Sequence, residues 1–253
     1  EVGYRADRIG GPYEKKVILE RPIGGLGDGV AQGTIFDDPQ GNWYGMFFQH
    51  RGGVGRVPHL MPCTWMDGWP MLGDKDGKVP EIMEKPVQGQ ERKALTVSDE
   101  FDTEALGLCW QWNHNPVDEA WSLSERPGYM RLKAQKAVSL FDARNTLTQR
   151  MEGPTCEATV AIDLRNMKDG DRAGFSAFNS DATLLAIRKT NGRLYLSMDE
   201  EKVKLSNDTK AIREVKQGSL TDEIRLRRPV VYLRIEGDFR PGPTKDIVKF
   251  WYS

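Results

Sequence analysis

Short apolar runs broken by turn residues dominate this chain. In VVYLRIEG (230–237), Val231, Leu233 and Ile235 share one face, and in CEATVAIDL (156–164) Ala158, Val160 and Ile162 do. A period of two marks a strand with one face against a core. Elsewhere the apolar positions run together. In GTIFDDPQGNWYGMFFQ (33–49), the strand GTIF meets the turn DDPQGN and leads into WYGMFFQ. That second strand is nearly all apolar, which predicts burial on both faces. CTWMDGW (63–69) is another reversal, with Asp67-Gly68 at its turn and Pro62 and Pro70 predicted as strand ends. Further strands are predicted at 105–112, 129–135, 173–179, 184–190, 193–198, 224–228 and 246–253. Thr190-Asn191-Gly192 suits a type I′ hairpin. No stretch carries the 3.6-residue period of a long amphipathic helix, so the fold class is all-β.

Between 74 and 98 the pattern lapses. DKDGKVPEIMEKPVQGQERKALTVS is polar, holds two prolines and reads as an extended linker between two β-rich regions. The predicted organisation is a first domain over 1–80, a linker over 81–98 and a β-sandwich over 99–253. Strands every 8–12 residues with Gly, Asn and Asp turns suit a sandwich or barrel.

Composition narrows the partners. The formal net charge is −1 over 253 residues. Neither nucleic acid nor an anionic membrane is expected as a partner, because both require a basic excess. RLRRP (225–229) reads as a solvated strand edge. No apolar run approaches the roughly 20 residues that span a bilayer, and EVGYRADRIG reads as no signal peptide. Three widely spaced cysteines, Cys63, Cys109 and Cys156, form no disulfide framework and read as buried free thiols. His50, His59 and His114 lack metal-ligand spacing, so no metal site is expected from them.

The candidate chemistry is sparse. Trp65 and Trp69 flank a tight turn and suit either core packing or a wall against a pyranose face. Trp110 and Trp112 lie two apart and would point the same way. A sugar platform and an inter-sheet contact are both open there. Arg56 follows GGVG, whose glycines allow close backbone approach, and its fork could meet hydroxyls or a carboxylate. Gln32 is a polar group at a strand mouth. Glycoside hydrolysis needs two spaced carboxylates, yet Asp28, Asp37, Asp38, Asp67, Glu81 and Asp99 include none set off as a raised-pKa acid. There is no G-x-S-x-G, no Walker A loop, and GGLGDG (24–29) does not match a dinucleotide fingerprint.

GRVPHLMPCTWMDGWPMLGDKDGKVP (55–80) resembles the late-blade signature of family 43 glycoside hydrolases, five-bladed β-propellers acting on xylan, arabinoxylan and related polymers. GPYEKKVI (11–18) and VAQGTIFDDPQGNWYGMFFQHRGG (30–53) extend the likeness upstream. LGLCWQWNHNPVDEAWSLSERPGYMRLKA (106–134), ARNTLTQRMEGPTC (143–156) and DGDRAGFSAF (169–178) resemble the concanavalin A-like β-sandwich of many β-xylosidases. The resemblance implies the last blades of a propeller followed by a C-terminally incomplete jelly-roll sandwich. It implies an inverting β-xylosidase or α-L-arabinofuranosidase, acting on xylo- or arabinoxylo-oligosaccharides, with catalytic carboxylates upstream of this chain. No catalytic residue is therefore assigned here. Arg56 matches an arginine that reaches the sugar, and Gln32 stands where many members have a histidine near a bound calcium, so no cofactor is expected. A non-catalytic binding or structural module, with Trp110, Trp112 or Trp121 on xylan, is the alternative. A secreted or periplasmic location is expected over a cytoplasmic one.

Overall fold

The structure, a computed structural model, describes all residues except 21–28, 88, 90, 92, 93, 95 and 241–245. GGLGDG apart from Gly29, and with it Asp28, lies outside the described residues. Two compact units divide the chain, Glu1–Lys93 and a second comprising Ala94–Arg240 and Asp246–Ser253.

In the first unit β1 (Val2–Arg5) and β2 (Glu14–Val17) pair antiparallel. A four-stranded antiparallel meander follows, made of β3 (Ala31–Asp37), β4 (Trp43–His50), β5 (Arg56–Met66) and β6 (Trp69–Leu72) in that order. Four antiparallel strands make one propeller blade. The β3–β4 turn is closed by Asp38, whose Oδ1 accepts from the backbone N–H of Gln40 (2.9 Å) and Asn42 (2.8 Å). The Asn42 side chain donates to the other oxygen and, more than any other contact, holds the Asp38 carboxyl below its ordinary pKa. Asp67 and Gly68, at φ 52° and 73°, turn β5 into β6 as the sequence predicts. Ile18, Leu19, Val30, Phe47, Met61, Cys63, Trp69, Leu72 and Val79 form the core.

Two expectations fail here. β4 buries only one face: Gly45, Phe47 and Gln49 are buried, whereas Met46 on the other face is 41% exposed. Pro62 and Pro70 lie inside β5 and β6 rather than at their ends. Pro62 is tolerated because its missing N–H would point past the end of β6, where its carbonyl accepts from Gly73 N–H (3.0 Å). Leu72 N–H points out of the sheet edge to Ile18 O (2.9 Å), and Pro70, two residues earlier, has its missing donor on that same side.

The second unit opens with short pieces: β7 (Gln111–Trp112) on β10 (Leu147–Thr148), and β8 (Trp121–Ser122) on β9 (Arg131–Leu132). The long strands predicted at 105–112 and 129–135 shrink to β7 and β9. Asp99 is the reason for the first. It accepts from Phe101 N–H and from Trp110 Nε1, both at 2.7 Å, while Trp110 N–H bonds Gly107 O. The segment thus curls on itself, with Phe101 stacked on Trp110 at 5.5 Å.

The sandwich proper has two antiparallel sheets. One orders β11 (Thr155–Asp163), β17 (Val230–Asp238) and β18 (Ile247–Tyr252). The other orders β12 (Arg172–Phe178), β13 (Ala182–Thr190), β14 (Arg193–Leu205) and β15 (Ile212–Ser219), with β16 (Ile224–Leu226) also on β14. Leu164, Leu185, Ile187, Leu196, Val231 and Leu233 fill the space between them. Asn191 and Gly192, at φ 50° and 71°, join β13 to β14. Of the three free thiols only Cys63 is buried; Cys109 and Cys156 are half-buried.

Candidate functional site

The predicted binding residues Gln32 and Arg56 come to the same end of the four-stranded sheet, where β3 starts, β4 ends and β5 starts. Gln32 is the extra residue of a β-bulge, since Ala31 opposes Phe48 and Gly33 opposes Phe47. Its φ of 43° is uncommon for a residue with a side chain. Bulges re-aim side chains at strand ends, and here the exposed amide is turned out of the ladder.

Arg56 is delivered by a tight loop. Arg51 N–H donates to Gly55 O (2.7 Å), and Val54 and Gly55 close a 3-10 turn over Gly52–Val54. Gly55, at φ 88° and ψ −139°, takes a conformation closed to side chains with a Cβ. Arg56 opposes His50 across β4–β5, and its guanidinium carbon lies 4.5 Å from the centre of the Phe48 ring. That cation–π contact seats the guanidinium on the ring, while Arg56 as a whole stays exposed.

Beneath this rim, on the buried face of the same sheet, are Gln49 and His59. Gln49 is almost fully buried. The His59 Nε2 is buried and has no hydrogen-bond partner among the described residues. Burial, then the charge of Arg51, lowers the His59 pKa, so the ring is neutral at pH 7. Neither residue was singled out from the sequence. The signal was present: Gln49 continues the buried period of Gly45 and Phe47 along β4, and His59 opposes Phe47.

The calcium implied by the resemblance finds no cage at Gln32. Among the described residues no three His, Cys, Asp or Glu come together. Gln32 brings one neutral oxygen, and its neighbours at this sheet end, His50, Arg51 and Arg56, bring none of the carboxylates that calcium takes. Every carboxylate with a displaced pKa among the described residues is displaced downward, the reverse of a general acid poised near neutrality.

The tryptophans are mostly structural. Trp69 is buried in the first core, with the Arg5 guanidinium 4.4 Å from its ring centre. Trp65 is 46% exposed and meets Trp43 edge-on at 5.2 Å. Trp110 and Trp112 do not act together: Trp110 stacks on Phe101, while Trp112 tilts against Trp121 at 5.3 Å.

Residues 98–246, more than half of the chain, match the family described as the beta xylosidase C-terminal concanavalin A-like domain. A beta-xylosidase of Formosa agariphila is 34% identical over 217 residues, which is 72% of this chain and 36% of that protein. A non-reducing end alpha-L-arabinofuranosidase of Bacteroides ovatus is 44% identical over 151 residues, 58% of this chain and 28% of that protein. Among solved structures, a bifunctional GH43-CE protein of Bacteroides eggerthii superposes with a TM-score of 0.81 at 36% identity, over 100% of this chain and 30% of its own. A GH43 glycoside hydrolase engineered for both endo-xylanase and exo-arabinofuranosidase activity superposes at 0.83 with 30% identity, over 99% of this chain and 50% of its own. The chain thus spans about a third of the length of the curated relatives it matches.

Proposed function

The chain belongs to the family of β-xylosidase C-terminal concanavalin A-like domains, and from that premise we propose that the whole protein hydrolyses xylo- or arabinoxylo-oligosaccharides as a β-xylosidase or α-L-arabinofuranosidase. The superposition of 99% of this chain, at 30% identity, on an engineered GH43 hydrolase carries the reading, because both units take part in it.

In this reading the catalytic carboxylates lie outside the chain. One acid protonates the leaving oxygen while a base activates water on the opposite face of the ring, roughly 6.5–9.5 Å away, with inversion. The chain supplies a polar rim. Arg56, held on Phe48, presents paired N–H donors to adjacent sugar hydroxyls. Gln32, turned out of the ladder by its bulge, offers an amide to another. Binding energy from such groups orients the glycosidic bond against the acid and base. A secreted or periplasmic location fits this role.

The test uses the full-length parent with 4-nitrophenyl β-xyloside and α-L-arabinofuranoside. At least one is hydrolysed. Arg56→Ala lowers kcat/KM by about 10- to 100-fold, the cost of one hydrogen bond from a charged group. Inactivity of the parent on both substrates and on xylobiose would sink the reading.

A further inference from the structure

The outer face of the larger sandwich sheet is polar where a plain sheet would be indifferent. The register puts Arg172, Arg188, Tyr195, Asp199, Glu201, Gln217 and Ser219 on one face, away from the core. Asp199 and Glu201 are 2% and 1% exposed. Asp199 Oδ2 accepts from Arg172 Nη2 (2.7 Å) and from Arg188 Nη2, and its Oδ1 accepts from Ser197 Oγ (2.8 Å) and Ser219 Oγ (2.9 Å). Glu201 accepts from Arg172 Nη1 (2.7 Å), Gln217 Nε2 (3.1 Å) and the Leu140 backbone N–H (2.6 Å). Arg188 Nη1 reaches Glu223 (2.8 Å).

A cleft of about 520 Å³ opens over this network, lined among others by Gly170, Thr190 and Gly218. That volume lies in the range of small-molecule sites. Stability alone gives no reason for the network, since a buried ion pair replaced by well-packed apolar residues is often neutral or more stable. What it does provide is a rigid hydrogen-bonding floor. Each arginine spends two N–H groups of its five on carboxylates and stays about one-third open to solvent. Gln217 donates through Nε2, to Val138 O and Glu201, which leaves its Oε1 as an acceptor.

We propose that this cleft on β12–β15 is a second sugar site, built from residues other than Gln32 and Arg56, which takes one or two pentose rings of a neutral xylo-oligosaccharide. The neutral class follows from the charge. Arg172 and Arg188 are already matched by buried Asp199 and Glu201, with Glu223 beside Arg188, and the third lining cation, Lys189, donates its Nζ to Met167 O (2.6 Å), so an anion would meet no free cationic pair. A vicinal diol would meet fixed N–H pairs and an amide oxygen, which is what its donor–acceptor hydroxyls match. The choice of pentose, but not of a neutral polyol, rests on the function proposed above.

The experiment is a backbone-amide NMR titration of the 253-residue chain with xylotriose, with maltotriose alongside. Saturable shifts at Gly170, Gly218 and Ser219 are expected with xylotriose. Thr190→Phe fills the cleft, because Thr190 is exposed and shares the face of Arg188 on β13; it should weaken binding at least tenfold. Ser219→Phe fills the same space from β15 if the first variant does not fold. No shift at these amides, or equal shifts in both filled variants, overturns the proposal. Shifts with maltotriose alone overturn the pentose assignment and with it the proposal. The parent enzyme carrying Thr190→Phe should keep its rate on 4-nitrophenyl pentosides. An inactive parent with a saturable cleft defeats only the function proposed above; an active parent with a silent cleft defeats only the second site.

Discussion

The two units solve the same problem differently. The sandwich encloses its core between two sheets, so Leu233 and Ile187 are wholly buried between partners of its own making. The first unit has one four-stranded sheet and covers one face of it. On its other face Phe36, Met46 and Met66 remain exposed to solvent, although Phe36 leans on Tyr44 with ring centres 5.8 Å apart. Strands with an alternating pattern find their burial inside their own unit. The continuous apolar pattern of β4 asks for two covered faces and receives one.

The sharpest way to test that separation is to hollow each core. Leu233→Ala and Met61→Ala should each cost about 2–5 kcal/mol, read by hydrogen exchange localised to each unit. Leu233→Ala should loosen the sandwich and leave amides of β3–β6 unchanged. Loss of protection in both units would mean that the cores are not independent.

Glycine packing gives the next effect. A Cβ at Gly33 would lie 2.1 Å from Met46 O, and one at Gly174 would lie 2.1 Å from Leu185 O. Alanine at either position should cost about 1–3 kcal/mol in its own unit. A neutral result at Gly174 would show that the sandwich sheet yields more readily than its ion network suggests.

Acid should separate the units by pH. The His59 pKa is lowered from 6.5, so the unfolded chain binds its proton first. That contribution is complete above about pH 6.5 and fades as pH falls below it. In the sandwich, burial raises the Asp163 pKa, but the hydrogen bonds from Arg126 and from Arg165 N–H outweigh it and hold the carboxyl below 3.8. Its contribution persists down to about pH 3.8 and is lost below. The first unit should therefore lose exchange protection at milder acidity than the second, and His59→Gln should narrow the gap. The smallest effect belongs to Met46→Gln, within about 0.5 kcal/mol on a half-open face, together with weaker binding of a hydrophobic dye.

The alternating strands were legible because a period of two needs only one covered face, and β11 and β17 appear nearly where the pattern puts them. The hairpin turns were legible from Asp67-Gly68 and Asn191-Gly192, whose positive φ few other pairs accept. β15 was missed. Its sequence IREVKQGS sets Gln217 and Ser219 toward the polar cluster, so no apolar period marks it. The far half of β14 was missed for the same reason: Asp199 and Glu201 look like surface charges until Arg172 is seen beside them. Gln32 and Arg56 were singled out through resemblance and glycine context. The bulge that turns Gln32 outward depends on the Ala31–Phe48 register, which no local pattern encodes.

The β13–β14 hairpin also bears on how this protein ages. An asparagine before glycine in an exposed turn is where a chain most readily deamidates. The glycine nitrogen attacks the side-chain carbonyl, ammonia leaves, and the ring that forms reopens largely to isoaspartate. Here the Gly192 N–H is already donated to Asp169 Oδ1 at 2.8 Å. The attacking nitrogen is thereby held in the geometry of the turn and away from its own neighbour's amide. Asp169 thereby sets how long Thr190 and the strand end beside it keep their original backbone.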